Sequence, residues 1–325
     1  MKVSLYLYPV VEGADGLSAV WKRFAEQIAA ARCAGFDGLW IPEHHVARAF
    51  FPPVNQVLAW CGAQWPGAYL GTAVALPALH HPLRLAEEIA ALHGLSGGRF
   101  RWGVGYGFRP REFRSVGAPI EGKIGLARDV VRTTVALLRG ESCSFAIGPW
   151  QAENASLSMT LTESPEVLWG VRSAAGVRAI ASYGTGILPA MLEGHTKQLR
   201  LLAEFDRAHG QTAVTRPLMT DLVVARSGSS AEERALRRLS AEYGSFRHQR
   251  SVTPAVDAFA RSPEREYDRL RDIAVIGGVE EIRSFIQRSE RSGVSELVVR
   301  VEQARTAQAE AVEAIEAVGE AAASR

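Results

Sequence analysis

The chain is poor in cysteine. Cys33, Cys61 and Cys143 are odd in number and far apart. No pair sits at disulfide or metal-ligand spacing, which excludes a disulfide scaffold and suits a reducing compartment. Long apolar runs are missing too: nothing reaches the length of about 18 residues that a membrane helix needs. The apolar start, MKVSLYLYPV, is short and has no signal-peptide cleavage pattern. A cytoplasmic protein without a membrane partner is expected. Excess charge of one sign is also lacking, with 37 basic against 35 acidic residues and a net charge of +2. That gives no electrostatic footprint for nucleic acid. No HxH or HExxH pattern marks a metal, and no GxGxxG opens directly into a helix, so a nicotinamide fingerprint is absent.

What the chain does have is 325 residues, 47% of them hydrophobic, ample for a large core. Residues 2–9 alternate polar and apolar side chains and read as a strand. Leu17, Val20, Trp21, Phe24, Ala25, Ile28 and Ala29 recur at helical spacing up to Gly35. Leu39-Trp40-Ile41-Pro42 is too short for a helix and reads as a buried strand. Further strands are expected at 68–76, 99–104, 166–171, 186–188, about 218–225 and 296–301. Helices lie between them: Val54, Val57, Leu58 and Cys61 mark one, Leu85, Ile89 and Leu92 another, and a long one runs from about Glu121 to Leu138. Arg109–Glu112 reads as a charged loop. Residues 142–164 read as an irregular or hairpin excursion, and 229–270 as a charged, mostly helical one with a break at Pro254. Eight strands alternating with helices point to an α/β fold, a (β/α)8 TIM barrel of one domain, residues 1–325. The two excursions interrupt it after helix four and before strand eight.

Three stretches carry chemistry. Glu43-His44-His45 follows a buried strand, and strand ends line the active site of a barrel. A histidine there serves as base or hydrogen-bond donor, with Glu43 able to orient it; the plain alternative is a strand cap. His80 and His81 would complete a metal site only with unfavourable spacing. Gly103-Val104-Gly105-Tyr106-Gly107 ends another strand, where glycine lets backbone approach a planar ligand or makes room for packing. Arg172-Ser173-Ala174-Ala175-Gly176-Val177 starts a helix, suited to an anion or to an ordinary Ser173 cap. Arg99-Phe100-Arg101-Trp102 reads as packing.

GFDGLWIPEHH (35–45), GTAVALPALHHPLRLAEEIAALHGLSGGRFRWGVGYG (71–107), the run Arg111, Glu112, Phe113 with Gly117, and GGVEEIRSF with GVSELVVR near the end together resemble the bacterial luciferase-like flavin monooxygenases over nearly the whole chain. The resemblance implies a barrel that uses reduced FMN, supplied by a separate reductase, and dioxygen to oxidise a small organic substrate, usually as a homodimer built on the second and third helices. It implies that His44 is catalytic. Ala73 and Val74 would lie against the flavin ring, often through a non-prolyl cis peptide, and Ser173, Gly176 and Val177 would form the phosphate turn. Two positions depart from the family. Tyr106 replaces an arginine that often holds the flavin phosphate, and Gly105 stands at the reactive cysteine of luciferase. Arg172, where the family usually has a small residue or a carboxylate, is the expected substitute cation, with Arg109 in reserve. Glu43, His45 and Phe108 are expected at the substrate pocket, and no metal is. Reduced deazaflavin chemistry, a non-catalytic flavin-binding subunit and a metal hydrolase stay open as alternatives.

Overall fold

The computed structural model describes residues 1–9, 16–46, 53–181, 186–210, 215–224, part of 232–240, 263–301 and 308–323. Its strands in chain order are β1 (Lys2–Tyr6), β2 (Gly38–Ile41), β3 (Tyr69–Thr72), β4 (Phe100–Val104), β5 (Cys143–Ile147), β6 (Trp150–Ala155), β7 (Glu166–Val171), β8 (Gly186–Pro189), β9 (Pro217–Val224), β10 (Ala274–Gly277) and β11 (Glu296–Val301). The first seven helices are α1 (Leu17–Cys33), α2 (Val54–Gln64), α3 (Pro82–Leu95), α4 (Pro110–Ser115), α5 (Lys123–Leu138), α6 (Ala174–Ile180) and α7 (His195–His209). Helices Pro263–Ile273, Val279–Arg291 and Gln308–Ala323 follow. The chain divides into two compact units, Met1–Trp40 with Val171–Arg325, and Ile41–Gly170.

In the first unit β10, β9, β11, β1 and β2 run side by side, all parallel. Alternation along β1 sends Val3 and Leu5 into the apolar core while Ser4 faces the other way. There Ser4 Oγ donates to Glu296 Oε1 at 2.6 Å, and Trp40 Nε1 donates to the same oxygen at 2.8 Å. A further buried pair links neighbouring strands in register: Arg300 Nε and Nη2 donate to Asp221 Oδ1 and Oδ2 at 2.5 and 2.9 Å. Helix α1 buries Val20, Phe24, Ile28, Ala30 and Ala31, a narrower stripe than expected; Leu17 and Ala29 are exposed.

In the second unit β3, β4 and β7 are parallel neighbours, and β5 and β6 form the antiparallel hairpin of the first excursion. Arg101, on β4, packs over the Tyr69 ring at 4.5 Å and lies 3.4 Å from Glu166, as the packing reading of 99–102 has it. The apolar residues expected on α2 and α3 are buried within this unit: Val54, Val57, Leu58 and Cys61, then Leu85, Ile89 and Leu92.

Three expectations need correction. The charged loop at Arg109–Glu112 is the entry to α4. Pro110 takes the first helical position, where its missing N–H costs nothing, and Glu112 suits the positive helix end. Strand β3 stops at Thr72, short of the expected Leu76; the Ala73–Val74 peptide is cis, and Ala75 bridges to Val104. Strand β10 was not expected, because four apolar residues after a charged helix give too short a signal. Most of the charged excursion, with Pro254, lies outside the described residues, as do Phe50, Phe51, Tyr183 and Ala225. The three cysteines are free thiols. No helix among the described residues is long and apolar enough to cross a membrane.

Removing one member of a buried ion pair strands the other. Asp221→Ala is therefore expected to destabilise the protein by about 3–5 kcal/mol, read as a lower denaturant midpoint in chemical unfolding.

Candidate active site

The site grows from the exit of β2. Backbone pairing first carries the chain past the strand: Ala73 N donates to Ile41 O at 2.9 Å, and Glu43 N to Val74 O at 3.2 Å. That alignment buries Glu43, which is 2% exposed. A carboxylate cannot be buried without donors, and three converge on it. Leu76 N donates to Oε2 at 2.6 Å; His80 Nε2 and His45 Nε2 lie 2.6 and 2.7 Å from Oε1. Burial alone would raise the Glu43 pKa, but His80 and His45 outweigh it and hold the carboxyl well below its usual range. Burial alone would likewise lower His80, and Glu43 reverses that and raises it. Glu43 is thus a clamp between the exits of β2 and β3. Glu43, His45 and His80 place their ligand atoms within 4.8 Å of one another, a spacing that would admit a cation. Two imidazole N–H groups donating to one carboxylate account for the cluster without one.

His44 turns the other way. Its ring meets Phe108 edge-on, with centroids 6.5 Å apart, and its side chain is 20% exposed. Burial pushes its pKa down, with Glu112 opposing and Arg109 adding to the shift, so the imidazole is neutral at neutral pH. Beneath it lies Glu112, on α4, only 1% exposed. Glu112 Oε1 accepts from His45 N at 3.0 Å and lies 3.4 Å from both His44 Nδ1 and Arg109 Nη1. Burial would raise Glu112, but His44, His45 N–H and Arg109 lower it.

The glycines after β4 make room for side chains of their own unit. A Cβ on Gly105 would fall 2.5 Å from Val74 Cγ2, and one on Gly170 would meet Val104 O at 3.2 Å and Val74 Cγ1 at 3.4 Å. Gly107 has φ +63°, and a Cβ there would press on Phe113 at 2.8 Å. Tyr106 lies against Trp169, centroids 5.4 Å apart. Phe108 is exposed and sits under the Arg109 guanidinium at 5.1 Å. Trp40 and Trp102 are core residues.

Ala73, Val74, Gly105, Tyr106 and Phe108 therefore belong to the same unit as Glu43, His44 and His45. Arg172, Ser173, Gly176 and Val177 belong to the other. Ser173 is the N-cap of α6, its Oγ accepting from Gly176 N at 3.1 Å, and Val177 is buried. Arg172 Nε donates to Glu193 Oε1 at 2.7 Å, and Lys197 holds the other Glu193 oxygen. Burial would raise Glu193, but Lys197 and Arg172 lower it. Sequence reasoning missed the pairing of Glu112 with His44 and of His80 with Glu43. In a charged run such as Arg-Pro-Arg-Glu, a buried carboxylate looks like a solvated one.

A family profile described as Luciferase-like monooxygenase matches residues 1–296. The chain belongs to the luciferase-like monooxygenase family. Limonene 1,2-monooxygenase of Rhodococcus erythropolis is 26% identical over 275 residues, 80% of this chain and 69% of that protein. The aligned stretches span less than half the length of the first curated relatives. Two solved structures share the fold. The oxygenating constituent of 3,6-diketocamphane monooxygenase from Pseudomonas putida, in complex with FMN, has a TM-score of 0.76 at 16% identity, covering 100% of this chain and 98% of that one. An F420-dependent secondary alcohol dehydrogenase has a TM-score of 0.76 at 14% identity, covering 98% and 97%.

Replacing the clamp carboxylate with an amide should cost about 3 kcal/mol of stability at neutral pH. The sign with pH follows from the lowered folded pKa. Glu43 contributes fully above its ordinary value of 4.5 and less as pH falls toward the folded value. The gap between wild type and Glu43→Gln in urea unfolding is thus expected to narrow from about pH 5 downward, because the unfolded chain takes up a proton at Glu43 while the clamp still excludes it.

Proposed function

We propose that this chain is a flavin-dependent monooxygenase. In this reading it takes reduced FMN from a separate reductase and uses dioxygen to oxidise a small organic substrate. The family's single closed eight-stranded barrel, a homodimer and a cytoplasmic location belong to the same proposal. The observation that carries it is His44: a neutral, partly exposed imidazole at the exit of β2, backed by a buried carboxylate and edged by Phe108. Such a group takes or lends a proton at neutral pH.

The donor set fits the cofactor in part. A neutral imidazole, the Ala73–Val74 backbone and the Tyr106 ring suit an uncharged planar ring better than an anion. Reduced flavin, when bound, supplies the electrons that activate dioxygen. The chain's part is to hold the ring near Ala73, Val74, Gly105 and Tyr106, exclude water with Phe108, and manage a proton at His44. Glu43 and His45 act indirectly in this reading, because their mutual contact keeps the loop in place.

The phosphate is assigned to Ser173, Gly176 and Val177. Helix α6 is only seven residues long, so its dipole is weak and a cation is needed. Arg172 is our candidate: its guanidinium has donors beyond the one given to Glu193. The alternative reading keeps the fold and uses a reduced deazaflavin for hydride transfer; one solved structure of this fold is named an F420-dependent secondary alcohol dehydrogenase. Titration with reduced FMN and reduced deazaflavin, followed by mixing with dioxygen, separates the two: oxygen-dependent turnover with FMN supports the first, and oxygen-independent hydride transfer the second.

His44→Ala is expected to leave the fold intact and slow turnover by roughly a hundredfold or more, measured in steady state with chemistry rate-limiting. Unchanged rates would remove His44 from the chemistry. Arg172→Ala is expected to weaken reduced FMN by about 1.5–3 kcal/mol and riboflavin, which has no phosphate, far less. Fluorescence titration reads both, and equal losses would mean that Arg172 serves only Glu193.

A further inference from the structure

We propose that Glu112 is a positioning residue, which fixes His44 as its Nδ1–H tautomer and leaves Nε2 as the proton-accepting atom. The inference rests on the reading of His44 as the working base.

The argument is one of lone pairs. Glu112 Oε1 lies 3.4 Å from His44 Nδ1. If the imidazole carried its proton on Nε2, the Nδ1 lone pair would face a carboxylate oxygen, and both would repel. With the proton on Nδ1 the contact becomes attractive, although at 3.4 Å it is longer than an ordinary hydrogen bond. Glu112 also stays charged: it is 1% exposed, but His45 N donates to it at 3.0 Å and Arg109 lies 3.4 Å away. Its second oxygen, Oε2, is buried and has no hydrogen-bond partner among the described residues. One oxygen of the carboxylate is therefore still uncommitted.

The groups that face His44 are Glu112, Arg109 and Glu43. Arg109 opposes a positive charge on the ring; the two carboxylates favour it. When His44 takes a proton at Nε2, the product is an imidazolium with Nδ1–H pointed at Glu112. The carboxylate stabilises that ion without itself being protonated, as the aspartate does in a Ser-His-Asp triad. Sequence proximity alone would have assigned this task to Glu43. The structure gives both Glu43 oxygens to other donors.

The test is ¹⁵N NMR of the full chain with labelled histidine, which needs no flavin. In wild type the His44 Nδ1 signal is expected to be of the protonated type and Nε2 of the bare, pyridine-like type near neutral pH. In Glu112→Gln, which keeps the shape and removes the charge, the His44 midpoint should fall by about one pH unit or more, as expected for loss of an opposite charge within about 4 Å. If turnover is then measured, the acid limb of its pH profile should move the same way, with kcat falling at least about tenfold and KM changing little. A wild-type His44 protonated on Nε2 would overturn the proposal. So would a folded Glu112→Gln in which both tautomer and midpoint are unchanged. Should that variant not fold, the wild-type spectrum decides alone. An Nδ1–H tautomer together with full activity in His44→Ala would uphold the positioning role and instead overturn the reading of His44 as the base.

Discussion

A buried carboxylate organises this site. Glu43 follows a strand whose residues are all in the core, so the chain cannot turn it to water without breaking the pairing that positions the loop. The cost of leaving it undonated is larger than almost any single contact nearby can offset. Donors are therefore drawn to it from two loops: the Leu76 amide, His80 and its own neighbour His45. Once these are in place, the exits of β2 and β3 are tied together. His44, on the opposite side of the extended chain, is left as the histidine free of that clamp.

The second carboxylate extends the same logic. Glu112 holds the backbone of His45 and so fixes the loop from the side opposite Glu43. It reaches that place because Pro110 starts a short helix where the charged sequence would otherwise run as a loop. The two acids hold adjacent histidines to different partners, and His44 is depressed by burial while His80 is raised by Glu43. Burial alone would lower both imidazoles; the Glu43 carboxylate against His80 reverses that at one of them.

Cations are treated in the same way. Arg101, Arg109, Arg172 and Arg300 each have a carboxylate within 4 Å: Glu166, Glu112, Glu193 and Asp221. A chain with nearly equal numbers of acids and bases can match them locally. That is why its near-zero net charge, which leaves no broad footprint for a polyanion, says nothing for or against a small anionic ligand: what counts is whether a given arginine retains donors after its carboxylate is served.

Periodicity along the sequence determined the elements. Alternation in β1, the stripe of α1, the apolar faces of α2 and α3 and the Ser173 cap are local facts, set by residues a few positions apart; all appear, although β1 stops at Tyr6 rather than at residue 9 and the α1 stripe is narrower than expected. The histidine pair at 44–45 was also legible as a centre of interest, because ionisable groups after a buried strand need a reason. Which carboxylate serves which histidine was not legible. Glu112 is 68 positions from His44 and stands in a run that looks solvated, while Glu43, the neighbour, looks like the partner. Only the tertiary structure decides this, since it is the meeting of the β2, β3 and β4 exits that gives Glu43 to His80 and Leu76 and leaves Glu112 to His44. The same holds for Gly105. The sequence marks a position that needs a small residue, but the atom requiring the space, Val74 Cγ2, comes from another strand exit, and contacts between strands leave no trace in local spacing.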